Sequence, residues 1–202
     1  MPDHRRLSDP RDLRALAHPV RIALIEHLVL HGPQTASQLA DRTDESPANC
    51  SWHLRKLAEH GFVEEAGGGR GRERPWRATS MGMSWGEDDE GADTRLAGEA
   101  LTQLMIEREL GRSREARERL RDDDPEWLAA AFADQTMLWL TAEELAEAEG
   151  VIQELFLSRL DRHQDPSKRP PGARLCSLLA WGYPTYGVAD PTPAADEAEQ
   201  PA

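Results

Sequence analysis

The sequence predicts a mainly α-helical chain with one small β-hairpin. Three observations carry this. Apolar residues recur at helical spacing in successive stretches between residues 10 and 60. Proline and glycine stand where helices should start or stop, at Pro10, Pro19, Gly32-Pro33, Pro47 and Gly61. Two short strand-like runs, 62–65 and 74–79, flank a glycine- and arginine-rich stretch.

The first helix is expected over 9–17, with Pro10 in the first turn, where a missing N–H costs nothing. His18-Pro19 breaks it, because the residue before proline is pushed out of the helical region. A second helix runs from Pro19 to about Leu30, with Val20, Ile22, Leu24, Ile25 and Leu28 as a broad apolar face. Thr35 is a good N-cap for a third helix, 36 to about 42, with Leu39 and Ala40 inward. After the turn 43–46 a fourth helix starts near Pro47, with Ser46 as N-cap. Cys50, Leu54 and Leu57 lie at i, i+4 and i+7 and form its buried stripe, and Gly61 ends it. The two strands then form a hairpin with an arginine-bearing tip.

Gly86 to Gly91 is an acidic, small-residue linker and the expected domain boundary. It separates a domain over 1–86 from an α-rich region over 92–187. Residues 188–202, rich in Pro, Ala and acid, are expected to be disordered. In the second region Asp93 or Thr94 should cap a long helix to about Arg121, and Asp124-Pro125 should open a short one. Thr141 to Glu144 reads as a capping box opening a helix to about His163. Residues 135–140 and 174–181 read as strands.

The net charge of −13 is divided unevenly. Residues 1–86 hold 12 Lys/Arg and 11 Asp/Glu, a net of +1; residues 87–202 hold 12 and 26, a net of −14. The first part is therefore the one expected to approach a polyanion. No run of about 18 apolar residues exists, which argues against a membrane span. The charged N-terminus does not read as a secretory signal, and two cysteines suit a cytoplasmic protein without a disulfide framework. No nucleophile elbow, phosphate loop or metal cluster is present, so neither an enzyme nor a cofactor is expected.

Helix, break, helix, short turn, helix, hairpin is the order of a winged helix-turn-helix. The major groove of DNA, about 12 Å wide, admits one α-helix, and here the fourth would enter it. Its outer face carries Ala48, Asn49, Trp52, Arg55 and Lys56, with Ser46 and Pro47 at its start and Ser51 and His53 at its sides. Asn can bond an adenine edge, Arg a guanine edge or phosphate, and Ser or His a phosphate. Arg70, Arg72 and Arg74 in the hairpin can reach phosphates or the minor groove. Each piece alone has a plainer reading. Arg55 and Lys56 make an ordinary solvated face, Trp52 a packing residue, His53 a buried hydrogen-bonding group, and the hairpin arginines a soluble tip. Their conjunction points to double-stranded DNA.

These residues also resemble the ArsR-type winged helix-turn-helix regulators. Residues 17–25, Ala-His-Pro-Val-Arg-Ile-Ala-Leu-Ile, are similar to the family's opening L-x-H-P-x-R-x-x-I-L stretch. Residues 35–40 are similar to its first helix-turn-helix helix. Residues 46–63 are similar to its S-x-x-x-x-S-x-H-L-x-x-L-x-x-x-G-x-V segment. The resemblance covers about 10–80. It implies a homodimer that binds a palindromic operator, usually as a repressor, with Ser51 and His53 in DNA-contacting positions. Metal-sensing members carry a cysteine pair where this chain has 36–43, which contains none. His27 and His31, at i, i+4, lack an evident third ligand, and Cys50 falls on the apolar stripe. Metal sensing is therefore not expected.

The second half resembles, more loosely, the C-terminal extensions of actinobacterial regulators of this type. The long helix from Asp93 is expected to pair with its twin across a two-fold axis, the alternative being intramolecular packing. Trp127, Phe132, Met137, Trp139, Leu155, Phe156 and Trp181 could line a pocket for a small-molecule effector of unknown identity, or simply be core. The runner-up function is a winged helix used as a protein-interaction module.

Overall fold

The computed structural model describes residues 4–67, 74–85 and 91–186. The chain divides into two compact units, Met1–Thr136 with Arg159–Pro170 and Met137–Ser158 with Pro171–Ala202.

The first unit opens with a short strand, β1 (His4–Arg6), and helix α1 (Pro10–Leu16). The Asp9 carboxylate caps α1 by accepting from the Arg11 N–H, and Pro10 occupies the first turn. Helix α2 (Pro19–His31) follows, capped by the His18 ring, whose Nδ1 accepts from the Val20 N–H at 3.2 Å. Gly32 stops it with φ +74°, a backbone region that favours glycine. Helix α3 (Ala36–Thr43) begins in a full capping box: the Thr35 hydroxyl accepts from the Gln38 N–H and the Gln38 side chain accepts from the Thr35 N–H. Asp44, in the left-handed region with φ 55°, reverses the chain into helix α4 (Pro47–Glu59) within three residues.

Cys50, Leu54 and Leu57 of α4 are fully buried, with Leu24, Ile25 and Leu28 of α2 and Leu39 of α3 in the same core. After Gly61, strand β2 (Val63–Glu65) pairs antiparallel with β3 (Trp76–Ala78), Val63 opposite Ala78 and Glu65 opposite Trp76. The hairpin is tied to the base of α3. The Gln34 N–H donates to the Trp76 carbonyl, and the Trp76 N–H donates to the Gln34 carbonyl at 2.8 Å.

One strand pair was not anticipated. Strand β4 (Gly82–Ser84) runs parallel to β1 and brings the start of the chain against the end of the hairpin segment. Leu7, just after β1, is buried in the common core.

Helix α5 (Ala92–Leu120) starts one to two residues before the expected caps. Gly91 is its N-cap and provides no side-chain bond, while the Asp93 carboxylate accepts from Arg14 of α1 instead. Ala97 and Leu101 of α5 lie in the core built by α1, α2 and α4. The expected boundary at 86–91 therefore does not separate the two units: the first turns of α5 complete the first one. Helix α6 (Pro125–Ala130) follows, capped by Asp124.

In the second unit, the expected capping box is present. The Thr141 hydroxyl accepts from the Glu144 N–H, and helix α7 (Ala142–Leu157) starts there. It ends earlier than expected, where the Ser158 hydroxyl donates to the Leu155 carbonyl at 2.7 Å. A separate turn of helix, α8 (Asp161–Gln164), belongs to the first unit. The strands expected at 135–140 and 174–181 do not form. Both segments lack regular structure, with no strand partner among the described residues. The tail 188–202 lies outside the described residues.

Candidate nucleic-acid interface

Helix α4 owes its orientation to its 3.6-residue period. Positions 50, 53, 54 and 57 fall on one side, and all four are buried. Positions 48, 52 and 55 fall on the other, and Ala48, Trp52 and Arg55 are exposed, Trp52 at 48%. Ser46 and Pro47 at the N-terminus are exposed as well. The Ser46 hydroxyl accepts from the Asn49 N–H at 3.1 Å, so its cap role and its outward position coexist.

The polar groups of this face are held by local partners. Asn49 is half-buried and its Nδ2 donates to Glu45 Oε2 at 2.6 Å. Arg55 is exposed, and its Nε donates to the Ser51 carbonyl at 3.3 Å. Lys56 is half-buried and pairs with Glu59 at 2.8 Å.

The structure corrects the position of His53. It is not at the side of the outer face but 3% exposed, on the buried stripe one turn from Cys50 and Leu57. Its ring lies 4.6 Å from the His18 ring and edge-on to Trp52 at 4.8 Å. Its Nδ1 is buried without a hydrogen-bond partner. Burial pushes its pKa below the usual imidazole range, reinforced by His18 and Arg21; burial and Arg21 do the same to His18. As placed, His53 packs edge-on against Trp52 with its Nδ1 buried. The i, i+3 spacing from Cys50 was the signal in the sequence that marks this side.

A cleft of about 330 Å³ opens beside α4, lined by Thr35, Ala36, Ser37, Ser51, Arg55, Glu65, Arg74 and Trp76. It joins the N-terminus of α3, the outer side of α4 and the hairpin. A helix N-terminus and two guanidinium groups make such a cleft favourable to an anion. Arg74, exposed, pairs with Glu65 at 2.6 Å across the hairpin, which raises the pKa of Arg74 through their hydrogen bond. Of the residues read from the sequence, Ser51, Arg55 and Arg74 meet in this cleft. Arg70 and Arg72 lie outside the described residues. The contributions of Thr35, Ala36, Ser37 and Glu65, and the hold of Glu45 on Asn49, were not read from the sequence. The i, i+4 spacing of Glu45 and Asn49 was the available signal for the last.

Elsewhere, the His27 and His31 rings stack at 5.7 Å on α2. Among the described residues no group of three His, Cys, Asp or Glu side chains is arranged to hold a metal ion. Cys50 is buried, and burial pushes its thiol pKa up, as for a core residue. No helix among the described residues is long and apolar enough to cross a membrane.

Comparison with known proteins places a helix-turn-helix domain over residues 16–66, where a family of that description matches. No curated protein matches the chain. Among solved structures, reduced HlyU from Vibrio cholerae is similar at 20% identity over 46% of this chain and 84% of that one, with a TM-score of 0.30. A homodimeric winged helix-turn-helix DNA-binding domain from Mycobacterium bovis, from a possible ArsR-family transcriptional regulator, is 26% identical over 48% of this chain and 76% of that one, with a TM-score of 0.31. The YusO protein from Bacillus subtilis is 16% identical over 73% of this chain and 82% of that one, with a TM-score of 0.31.

Proposed function

We propose that the chain is a sequence-specific, DNA-binding transcription regulator. It acts as a homodimer on a palindromic operator, as a repressor of the ArsR type that does not sense metal, in the cytoplasm. The observation that carries this is the exposed outer side of α4, with Trp52 and Arg55, standing next to an anion-favouring cleft while the opposite side of the same helix is sealed in the core. In this reading α4 lies in the major groove, where Asn49 and Arg55 meet base edges. One backbone phosphate sits at the start of α3 between Ser51 and Arg74, and Arg70 and Arg72 reach further along the duplex. Ser46, Pro47, Ala48 and Lys56 border the same contact. An effector of unknown identity acts from the C-terminal region.

A second reading, a winged helix that binds protein, draws on the net charge of −13 and on Glu45 and Glu65 beside the proposed contact. Titration of a duplex selected from a random pool, repeated from about 50 to 200 mM salt, decides between them. A DNA reader shows a log–log slope of about −0.9 for every phosphate neutralised. A selection that enriches no duplex above background supports the protein-binding reading instead.

A further inference from the structure

The second unit has no interior of its own. Among the described residues, every fully buried apolar side chain belongs to the first unit, from Leu7 to Leu101. Between residues 137 and 186, fifteen large apolar or aromatic side chains are exposed by a third or more. They include Trp139 at 81%, Val151, Leu155, Leu175, Trp181 and Tyr183. Two of the three segments that carry them, 131–141 and 173–186, have no regular structure. A segment rich in leucine and tryptophan that neither folds into a core nor pairs as a strand is one whose partner lies outside the chain.

We infer that this unit is an obligate homodimerisation module, whose hydrophobic core forms only when the second units of two copies interlock. This rests on the homodimer of the proposed function and says where it is made. The size of the surface commits the occupant. At about 100 Å² for each exposed large side chain, the unit offers on the order of 1,500 Å² per protomer, within the range of obligate homodimers, which bury about 2,000–5,000 Å² in total. A small-molecule effector covers only a fraction of such an area. The long helix α5, the other candidate for self-association, buries Ala97 and Leu101 in its own chain and packs Leu104 and Met105 against that core, which leaves Leu96 and Leu110 as its exposed large apolar side chains against fifteen in the second unit. Its residues 111–119 are exposed all round and alternate Arg with Glu, which suits a solvated helix better than a seam.

The test uses the full chain. Sedimentation equilibrium from about 1 to 50 µM reads the mass, and the difference in tryptophan emission between the parent and Trp139→Ser/Trp181→Ser isolates these two of the six tryptophans. Val151→Glu and Leu155→Glu, separately and together, place a charge on side chains that are exposed in the single chain. A monomer tolerates them, so loss of mass is not a by-product of unfolding; thermal melting of the first unit is followed as a control. The inference expects a parent dimer over the whole range, at least a tenfold weaker dimer in the double variant, and red-shifted emission on dissociation. A parent that sediments as a monomer overturns it. So does a dimer that neither the α7 variants nor Trp139→Ser/Trp181→Ser weakens, since that interface lies elsewhere. A monomer whose emission shifts blue on adding an apolar dye or small molecule also overturns it, in favour of a ligand pocket. Because no arm contains DNA, a dimer that fails to bind any duplex leaves this inference standing and removes only the regulator reading.

Discussion

In the proposed DNA-reading role, recognition turns on Asn49, whose amide is suited to read an adenine and already touches a carboxylate. Its amide nitrogen donates one of its two N–H groups to Glu45 at 2.6 Å, which leaves the other N–H and Oδ1 for a base but holds a carboxylate close to where the phosphates would run. Glu45→Gln is therefore expected to tighten binding to the selected duplex, by a few-fold in anisotropy titrations, whereas Arg55→Ala should weaken it by about 1–3 kcal/mol. The histidines give a prediction of a different kind. His18 and His53 both have pKa values held below the ordinary range, as does His27 through burial and His31. Above about pH 6.5 these rings are neutral in folded and unfolded chains alike. Below it the unfolded chain takes up protons that the buried rings refuse, so stability falls as the pH drops. Protonating His18 also removes the lone pair that caps α2. The melting temperature should decline between about pH 6.5 and 5, and less steeply in His53→Phe. Asp9, whose pKa is lowered to about 2 by its bonds to Arg11, titrates below this window and does not confuse it. At this scale the sequence was partly legible. Residue types on the outer side of α4 could be read from their spacing. The side on which His53 falls, and the partners that restrain Asn49 and Arg74, depend on rotamers and on neighbours brought in from other segments.

At the scale of elements, the best-read parts were those with local causes. Caps, proline starts and glycine stops act within one turn, so α1 to α4 and the hairpin stand within a residue or two of their expected limits. What the sequence concealed were pairings between distant segments. The β1–β4 ladder joins residues almost eighty positions apart, and no local pattern announces it. The strands expected at 135–140 and 174–181 failed for the converse reason: their residues favour strands, but a strand needs an edge to pair with. Two element-scale predictions follow from the caps and the seam. Thr35→Ala removes half of the α3 capping box and should cost about 1 kcal/mol in denaturant unfolding. It should also weaken DNA binding, since the same residue lines the cleft. Leu54→Ala, by contrast, empties a fully buried site between α2, α3 and α4 and should cost about 2–5 kcal/mol. Unfolding midpoints that move equally for both would show that the α4 seam is not a core.

Across the whole molecule, charge and apolar surface are segregated along the sequence. The net acid lies after residue 86 and most of the exposed large apolar side chains after residue 136, while residues 1–86 are nearly neutral and expose Arg55 and Arg74 beside the candidate contact. Such a division suits a chain that meets a polyanion with one part and itself with another. Arg74→Ala should then weaken all duplexes alike and lower the salt slope by about 0.9, the mark of a single lost phosphate. The most direct test of the central claim, that the outer side of α4 reads DNA, is a binding titration of the Asn49→Ala/Arg55→Ala variant on the selected duplex and on a scrambled one. The account predicts a selected duplex with inverted half-sites about 10–10.5 base pairs apart. The variant should lose at least tenfold in affinity for it and little for the scrambled duplex. A variant that binds the selected duplex as tightly as the parent would contradict it.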